Sequence, residues 1–406
     1  MDLAKGQSGA FANAPGIVRT AFVQHDVSDP VGHLARALGL ETGVAGDDAT
    51  PEFELVILFA AADADVARLI HDAKARFAPA RVVGCTTAGE ISNTGYTSGE
   101  IVAVAFPRAH FRARTVLVPD LDLYDPQTVI EQMIRNRHEM MREQPNWTSE
   151  FTFLMIDGLS TREDELTSEL AVGLGPVPLF GGSAGDGVEF GKTFLLHDGE
   201  THTHAAVLTQ VRTICPIKVF KTDHLIPTEK CMVVTGANPE KRTVHEINAE
   251  PAAREYARIL GKDPEQLTTF TFAAHPVVVR IGGQHHVRSI QRVAENGDLV
   301  FFSAIDEGLV LTLAEPQNMV THLEQEIAAL SHDGPPDAIL ACDCLFRRME
   351  AQQKQMTRPI SRILAENRVV GFSTYGEQLN SMHVNQTLTG VAIYPPKQPQ
   401  TGPDKT

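Results

Sequence analysis

A ten-residue segment occurs twice in this chain and returns a third time with one residue missing. Residues 81–90 (RVVGCTTAGE) and 368–377 (RVVGFSTYGE) share seven of ten positions, and their register continues without a gap to the pair Val104 and Val391. The shortened copy, residues 180–186 (FGGSAGD), keeps the order glycine, hydroxyl, glycine, acid. Copies this far apart do not stack as neighbours in a solenoid, so we interpret them as one unit reused inside larger domains.

The same elements precede each copy. An apolar run typical of a buried strand is followed by apolar residues at helical spacing and then by the repeated segment. The runs and helical stretches are 55–59 and 66–77, 151–156 and 163–172, and 338–342 and 349–364. Such βαβ-like units need partly parallel, helix-covered sheets. The sequence therefore predicts an α/β fold with mixed, partly parallel sheets, built around a repeated βαβ-turn unit.

Length and local breaks predict two domains. A chain of 406 residues is long enough for two or three hydrophobic cores. Turn-forming residues at 227–230 and 237–242 indicate a boundary near residue 225. We therefore expect a first domain at 20–225, a second at 226–395, and a disordered Pro-rich tail at 396–406.

Charge and hydropathy exclude several classes of partner. The 35 Lys and Arg against 51 Asp and Glu give a net charge of -16, which repels nucleic acid and anionic lipid. The longest apolar run, residues 55–62, is far shorter than the roughly 20 residues of a membrane span. The N-terminus lacks the apolar core of a secretory signal. We expect a cytoplasmic protein that binds neither nucleic acid nor membrane, with its five scattered cysteines reduced.

Several common catalytic motifs are absent. Residues 186–193 (DGVEFGKT) resemble the end of a P-loop, but Asp186 replaces the first glycine and Glu189 adds a second negative charge. The chain has no His-Glu-x-x-His or Cys-x-x-Cys motif. We therefore expect that the protein is not an enzyme.

The repeated turn has two interpretations. Its hydroxyl and carboxylate side chains can cap backbone amides in a tight turn. They can also form a wall of a ligand pocket at the strand ends, where α/β sheets often bind ligands. On the second interpretation the binding residues are Thr87, Glu90, Thr374, Tyr375 and Glu377.

Residues 380–389 (NSMHVNQTLT) differ from the matching part of the first copy. As a single strand, this segment has one wholly polar face, formed by His383, Asn385, Thr387 and Thr389. That face is either exposed to solvent or lines a ligand site with an imidazole available as a ligand atom. His383 is the leading candidate metal ligand, and His224 and His204 are the alternatives.

Four segments together resemble the FIST family of sensory proteins, with its N-terminal and C-terminal domains. They are VGCTTAGEI at 83–91, LFGGSAGD at 179–186, EINAEPAA at 246–253 and GFSTYGEQ at 371–378. The resemblance covers roughly residues 50–395 in order. The later segment HVNQTLTGVA at 383–392 resembles the family's bacterial branch of NosP-like, nitric-oxide-sensing haem proteins.

The resemblance implies a signal-transduction protein that binds haem, senses nitric oxide and regulates a partner histidine kinase. A noncovalent haem b is implied because the chain lacks Cys-x-x-Cys-His. In that case nitric oxide weakens the bond between the iron and an axial histidine, with His383 as the leading candidate. The alternative is a haem-free module that binds an amino acid or related metabolite through Thr87, Glu90, Thr374 and Glu377.

Overall fold

Three copies of one β-α-β-α-β unit form most of the protein, as the repeated segment predicts. The computed structural model describes residues 16–40, 52–281 and 283–396. Apart from residue 396, the predicted disordered tail lies outside these ranges. Unit 1 comprises β1 (Arg19–Gln24), α1 (Pro30–Ala37), β2 (Phe53–Ala60), α2 (Val66–Phe77), β3 (Arg81–Thr86), β4 (Glu90–Ser92), β5 (Gly95–Thr97) and β6 (Glu100–Pro107).

Unit 2 repeats this order of elements. It comprises β7 (Phe111–Val118), α3 (Pro126–Glu143), β8 (Ser149–Asp157), α4 (Glu163–Leu174), β9 (Leu179–Ala184), β10 (Leu195–His197), β11 (Glu200–His202) and β12 (Ala206–Thr213). Aspartates at the helix starts help to fix these elements, because the Asp65 and Asp125 carboxylates accept hydrogen bonds from free amides of α2 and α3.

Unit 3 begins with β13 (Ile217–Thr222) and is interrupted by residues 225–316, which we call the insert. The insert comprises β14 (Leu225–Asn238), β15 (Thr243–Ile247), β16 (Glu250–Pro251), α5 (Ala252–Leu260), a 3-10 turn (Pro264–Gln266), α6 (Thr269–Ala274), β17 (Val277–Ile281), β18 (Gln284–Arg288), β19 (Ile290–Val293), β20 (Leu299–Phe301) and β21 (Val310–Pro316). Its strands form one antiparallel sheet. The break expected at 227–230 is a bulge inside β14, where the pairing with β21 shifts register.

After the insert, unit 3 continues in the common order. It comprises α7 (Met319–Leu330), β22 (Ala338–Cys344), α8 (Leu345–Gln353), α9 (Thr357–Glu366), β23 (Val369–Thr374), β24 (Glu377–Leu379), β25 (Met382–Val384) and β26 (Leu388–Ile393). Among the described residues, no helix has both the length and the apolar character needed to cross a membrane.

Each unit forms the centre of a six-stranded mixed sheet. The two strands of the βαβ unit are parallel, as predicted, and the remaining strands pair antiparallel. The sheet orders are β1-β6-β2-β3-β10-β11, β7-β12-β8-β9-β24-β25 and β13-β26-β22-β23-β4-β5. The predicted α/β fold with mixed, partly parallel sheets is confirmed.

The hairpin that follows each repeated corner joins the sheet of a different unit. The β4–β5 hairpin of unit 1 pairs with β23 of unit 3, β24–β25 of unit 3 pairs with β9 of unit 2, and β10–β11 of unit 2 pairs with β3 of unit 1. The exchange is therefore cyclic. Because every sheet is completed by another unit, the three units depend on one another for their edges.

The central strands are buried on both faces, which explains their continuous apolar runs. One face of each sheet packs on its own helices, and the other contributes to a shared core that includes Phe59, Phe153, Phe180 and Phe372. The rings of Phe59 and Phe372 stack at 4.7 Å between centroids, although they belong to different units. The shared core thus holds the three sheets together.

Candidate functional site

The three repeated corners meet one another. Backbone hydrogen bonds link the corners in cyclic order: Ala88 N–H to Ser373 O at 2.9 Å, Tyr375 N–H to Ser183 O at 3.4 Å, and Gly185 N–H to Thr86 O at 3.0 Å. The Thr374 hydroxyl also accepts a hydrogen bond from the Ser183 N–H at 3.0 Å. The corners therefore form one assembly rather than three separate surfaces.

The two turn glutamates close their own hairpins. Glu90 accepts hydrogen bonds from the Thr87 hydroxyl at 2.5 Å and from the Glu100 N–H at 3.1 Å. Glu377 accepts them from the hydroxyl and N–H of Thr387, at 2.7 and 3.1 Å. Burial raises the pKa of both carboxyl groups. These are the contacts expected for turn capping, and ligand binding by these residues stays a prediction.

Tyr375 joins the corners to the insert. Its ring lies 4.6 Å from that of Phe190 and 6.2 Å from that of Phe302, and Phe302 packs edge-on against Phe346. The Tyr375 hydroxyl donates a hydrogen bond to the Asp186 carboxylate. An aromatic cluster therefore covers the corners on the side of the insert.

The prediction of a single strand at 380–389 is wrong. The strand breaks at Gln386, which has a φ of +52°, a left-handed conformation that a strand does not accept. His383 consequently lies on β25 in the sheet of unit 2, and Thr389 lies on β26 in the sheet of unit 3. The polar residues His383, Asn385, Thr387 and Thr389 are all buried, which excludes the solvent-exposed alternative.

His383 is neutral and incompletely hydrogen-bonded. The Gln378 amide nitrogen lies 3.2 Å from its Nδ1, and the Asn385 amide nitrogen lies 3.4 Å from its Nε2. Burial lowers the pKa of His383, because the charged form is desolvated. A neutral imidazole carries a hydrogen on one ring nitrogen and accepts a hydrogen bond only at the other. One of the two contacts therefore brings the ring N–H against the NH2 group of an amide. The ring N–H therefore has no good acceptor among the described residues.

His383 lies where the hairpin of unit 3, the helix α4 of unit 2 and the insert come together. Asn385 accepts a hydrogen bond from the Ser289 N–H of the insert at 3.4 Å. Arg242 of the insert pairs with Glu163 and Asp164 at the start of α4, at 2.9 and 3.2 Å. We call this region, made by the side chains of Glu163, Asp164, Arg242, Arg288, Ser289, Ser303, Gln378, His383 and Asn385, the polar junction.

Several buried atoms of the polar junction have no hydrogen-bond partner among the described residues. They are Nε and Nη1 of Arg288, Oγ of Ser289, Oγ of Ser303, Oε1 of Gln378 and, although it forms an ion pair with Arg242, Oε2 of Glu163. Buried polar atoms are hydrogen-bonded in the great majority of cases, and leaving one unpaired costs about 1–3 kcal/mol. Both donors and acceptors are unpaired here, so the region can form hydrogen bonds with a molecule from outside the chain.

His224, an alternative ligand candidate, is fully engaged within the protein. Its Nδ1 lies 2.9 Å from an Arg347 guanidinium nitrogen, and its Nε2 lies 2.9 Å from a Glu350 carboxylate oxygen. Arg347 also pairs with Asp343, which accepts a hydrogen bond from the Tyr96 hydroxyl. Both ring nitrogens of His224 therefore have partners within the protein. The residue is part of a buried charge network that binds the β4–β5 hairpin to unit 3.

His204, the other alternative, lies near the surface in a separate place. Its Nε2 is 2.9 Å from Asp122, and Asp120 completes a group of three potential metal ligands. Arg162 also binds Asp122, at 2.6 Å, so an intramolecular cation already neutralises that carboxylate. His204 therefore does not share the polar junction with His383.

Sequence analysis missed most of the polar junction. Arg288, Ser289, Ser303 and Arg242 carry no motif, and they meet His383 only because the insert folds back onto the hairpin. One signal was present in the repeats. Gln378 and His383 occupy the positions that Ile91 and Tyr96 hold in the first copy, so an apolar and an aromatic residue are replaced by two polar ones.

Two models of the same protein family match consecutive parts of this chain. The family model of the FIST N domain matches residues 54–250, and that of the FIST C domain matches residues 252–380. Uncharacterized protein MJ1623 of Methanocaldococcus jannaschii is 24% identical over 350 residues, covering 76% of this chain and 67% of that protein. A solved structure, titled Structure of PurLQS from Thermotoga maritima, shares 14% identity and covers 97% of this chain and 76% of its own, but its TM-score of 0.18 supports no conclusion.

Proposed function

The chain belongs to the FIST family of signal-transduction sensor domains, and from that premise we propose that it senses a small polar ligand bound at the polar junction. The observation that carries this proposal is the set of buried, unpartnered donors and acceptors there. Sensor proteins need a site whose occupancy changes the balance between two conformations. A site built from separate parts of the fold meets that need.

The chemistry of the junction suits a small polar metabolite, such as an amino acid. Arginine N–H groups and serine hydroxyls can hold a carboxylate, and the unpartnered Oε1 of Gln378 can accept a hydrogen bond from an ammonium group. His383 is neutral and offers its ring N–H to an acceptor. The ligand contacts predicted for Thr87, Glu90, Thr374 and Glu377 are replaced in this proposal by contacts from the polar junction.

A ligand bound at the polar junction would contact three parts of the chain at once. Glu163 belongs to unit 2, His383 to the hairpin supplied by unit 3, and Arg288 to the insert. A ligand that contacts all three favours conformations in which the insert is docked on the hairpin. This differential binding is the only means by which a ligand can shift such an equilibrium. We propose that a partner protein reads the shift, so that the chain acts as a regulator rather than as an enzyme.

Haem-based sensing of nitric oxide is the second candidate, favoured by the neutral, incompletely paired imidazole of His383. That residue would hold the iron of a haem b, and a ferrous haem supplies an open coordination position for nitric oxide. The surroundings fit a porphyrin less well. Both ring nitrogens face carboxamides, and the ring lies so close to the Gly376 backbone that a Cβ there would be 2.2 Å from Cε1 of His383. The described residues thus favour the smaller ligand.

Thermal unfolding of the purified protein with individual L-amino acids, with other small metabolites and with haemin tests both candidates. A ligand present at 100 times its Kd stabilises the native state by about 2.7 kcal/mol. We expect His383→Ala to lose this stabilisation and His332→Ala, whose side chain is 86% exposed, to keep it. An absorption spectrum of the reduced protein with haem and nitric oxide separates the candidates. Failure of every compound to stabilise the wild-type protein would refute both.

A histidine kinase is the partner that we propose for signalling. The family's role in signal transduction supports a protein partner, and the kinase itself rests on the sequence resemblance at 383–392. Autophosphorylation of a co-purified histidine kinase, measured with the protein in its free and ligand-bound forms, tests this part. We expect the two forms to differ, and equal rates would contradict the proposal.

A further inference from the structure

Arg288 is a half-buried arginine that makes no ion pair with any described residue. Its Nε and Nη1 are shielded from solvent and make no hydrogen bond among the described residues. Burial lowers its pKa, whereas the negative charge of Asp164 raises it. Arginine stays charged inside proteins, so these N–H groups remain donors and cannot lose their protons. Shielded N–H groups without an acceptor are costly for a structure to retain.

Each of the three related sheets has a position equivalent to that of His383. Among the described residues, an arginine without an ion-paired acid lies beside only one of these positions. The register of the exchanged hairpins makes Tyr96, Thr201 and His383 equivalent. In the sheet of unit 3, the Tyr96 hydroxyl is hydrogen-bonded to Asp343, and Asp343 forms an ion pair with Arg347. In the sheet of unit 2, His383 makes hydrogen-bond contacts only within residues 378–385, and the nearby Arg288 has no ion-paired acid among the described residues.

The N–H groups of Arg288 that lack an acceptor indicate the chemical class of the ligand. Glu163 and Asp164 make their ion pairs with Arg242, and neither makes a hydrogen bond to Nε or Nη1 of Arg288. One carboxylate supplies one negative charge and several acceptor positions for the three N–H bonds of Nε and Nη1. Ser289 and Ser303, which are 1% and 0% exposed and carry unpartnered hydroxyls, lie on the same part of the insert.

We propose that Arg288 is the anchor for a carboxylate of the sensed ligand. This inference rests on the proposed function, and it adds that the ligand is an organic carboxylate and that Arg288 selects it. The arrangement also explains why the residue is kept without a partner. A site whose charge is satisfied only when the ligand is bound gains most from binding.

The test uses the full-length protein and defined probes. Acetate, succinate and L-glutamate are compared with acetamide and succinamide, and with inorganic phosphate as a separate anion, all at constant ionic strength. Binding is followed by thermal unfolding and by isothermal titration calorimetry. The variants are Arg288→Gln, Arg288→Lys and, as a matched control, Arg292→Gln, which removes an exposed arginine from the neighbouring strand β19.

We expect at least one carboxylate to bind the wild-type protein, its amide to bind at least about tenfold more weakly, and Arg288→Gln to lose about tenfold or more in affinity. Arg288→Lys should recover part of the loss, and Arg292→Gln should match the wild type. Without ligand, Arg288→Gln should unfold at an equal or higher temperature, because it removes shielded N–H groups that have no acceptor. A purely structural arginine would instead stabilise the free protein.

Three outcomes would overturn the inference. The first is a carboxylate that binds wild type and Arg288→Gln equally, and the second is an amide or phosphate that binds as tightly as the carboxylates. Either leaves the proposed function intact, since a ligand is still bound. The third is that none of these probes binds, while haemin or an uncharged metabolite stabilises the wild type through His383. That result retains the sensor and removes the carboxylate anchor.

Discussion

Replacing Gly84, Gly181 or Gly371 by alanine tests the architecture of three related units. These glycines occupy the same position in the three copies, and each pairs with a residue of the preceding parallel strand, namely Leu58, Leu154 and Ala341. A Cβ at each would lie 2.2, 2.3 and 1.8 Å from the carbonyl oxygen of that residue. The repeat therefore keeps glycine because of a close approach between strands.

The expected loss of stability follows from these distances. Ordinary contact begins at about 3.4 Å, so at Gly84 and Gly181 the strands must separate by about 1 Å. Overpacking of this kind costs about 1–3 kcal/mol. Gly371 has a φ of +152°, which adds about 1–3 kcal/mol of backbone strain for alanine. The predicted order is that Gly371→Ala loses most, with the other two variants similar to each other.

Thermal unfolding followed by circular dichroism measures these losses. An unfolding entropy of about 2.1 cal/mol/K per residue gives about 0.85 kcal/mol/K for 406 residues, so 1–3 kcal/mol lowers the Tm by about 1–4 °C. Gly191→Ala is the matched control, because the nearest atom to a Cβ there is 3.5 Å away. A Tm for Gly84→Ala or Gly181→Ala equal to that of the control would refute the reasoning.

Three further predictions concern buried charges. Arg348→Met should cost about 2–6 kcal/mol, because Arg348 donates to the Glu90 and Thr97 carbonyls of the exchanged hairpin and its loss leaves both unpaired, whereas the exposed Arg362→Met should cost almost nothing in urea denaturation. Glu377→Gln should cost less than about 1 kcal/mol by the same assay, because burial raises the pKa of Glu377 and so favours the neutral carboxyl that glutamine resembles. A loss as large as that of Arg348→Met would contradict this. Burial lowers the pKa of His224 below its unfolded value of about 6.5, so the stability contributed by its neutral form is present above that pH and is lost as the pH falls. Urea midpoints measured between pH 7.5 and 5.5 should therefore decline less in His224→Gln than in the wild type. An identical decline in both proteins would contradict this pKa shift.

The repeats allowed the sequence to predict much of the fold. The three strand-helix-strand segments, the parallel pairing and the buried central strands follow from local patterns, because strand and helix periodicities are properties of adjacent residues. The exchange of hairpins could not be predicted in this way. The residues of β4 and β5 indicate a short hairpin, but nothing within them specifies whether they pair with β3 or with β23 of another unit.

The site was predictable in part for the same reason. His383 and Asn385 were found because their segment departs from its related copy, and both are buried at the junction. Their assignment to one long strand with Thr389 failed, because the left-handed turn at Gln386 carries no strong sequence signal. Arg288 was missed because its importance comes from what does not contact it, and a missing partner is visible only in a folded structure.

The position of the polar junction follows from how the symmetry of the units is broken. At the equivalent place in unit 3, Tyr96, Asp343 and Arg347 satisfy one another, and at the place in unit 1 the equivalent residue is the small Thr201. Only in unit 2 does the insert bring an arginine against a polar hairpin without also bringing an acid. A ligand that completes this set would contact the insert, which has no counterpart in the other units. Its binding can therefore change how the insert docks while the shared core of the three units stays the same.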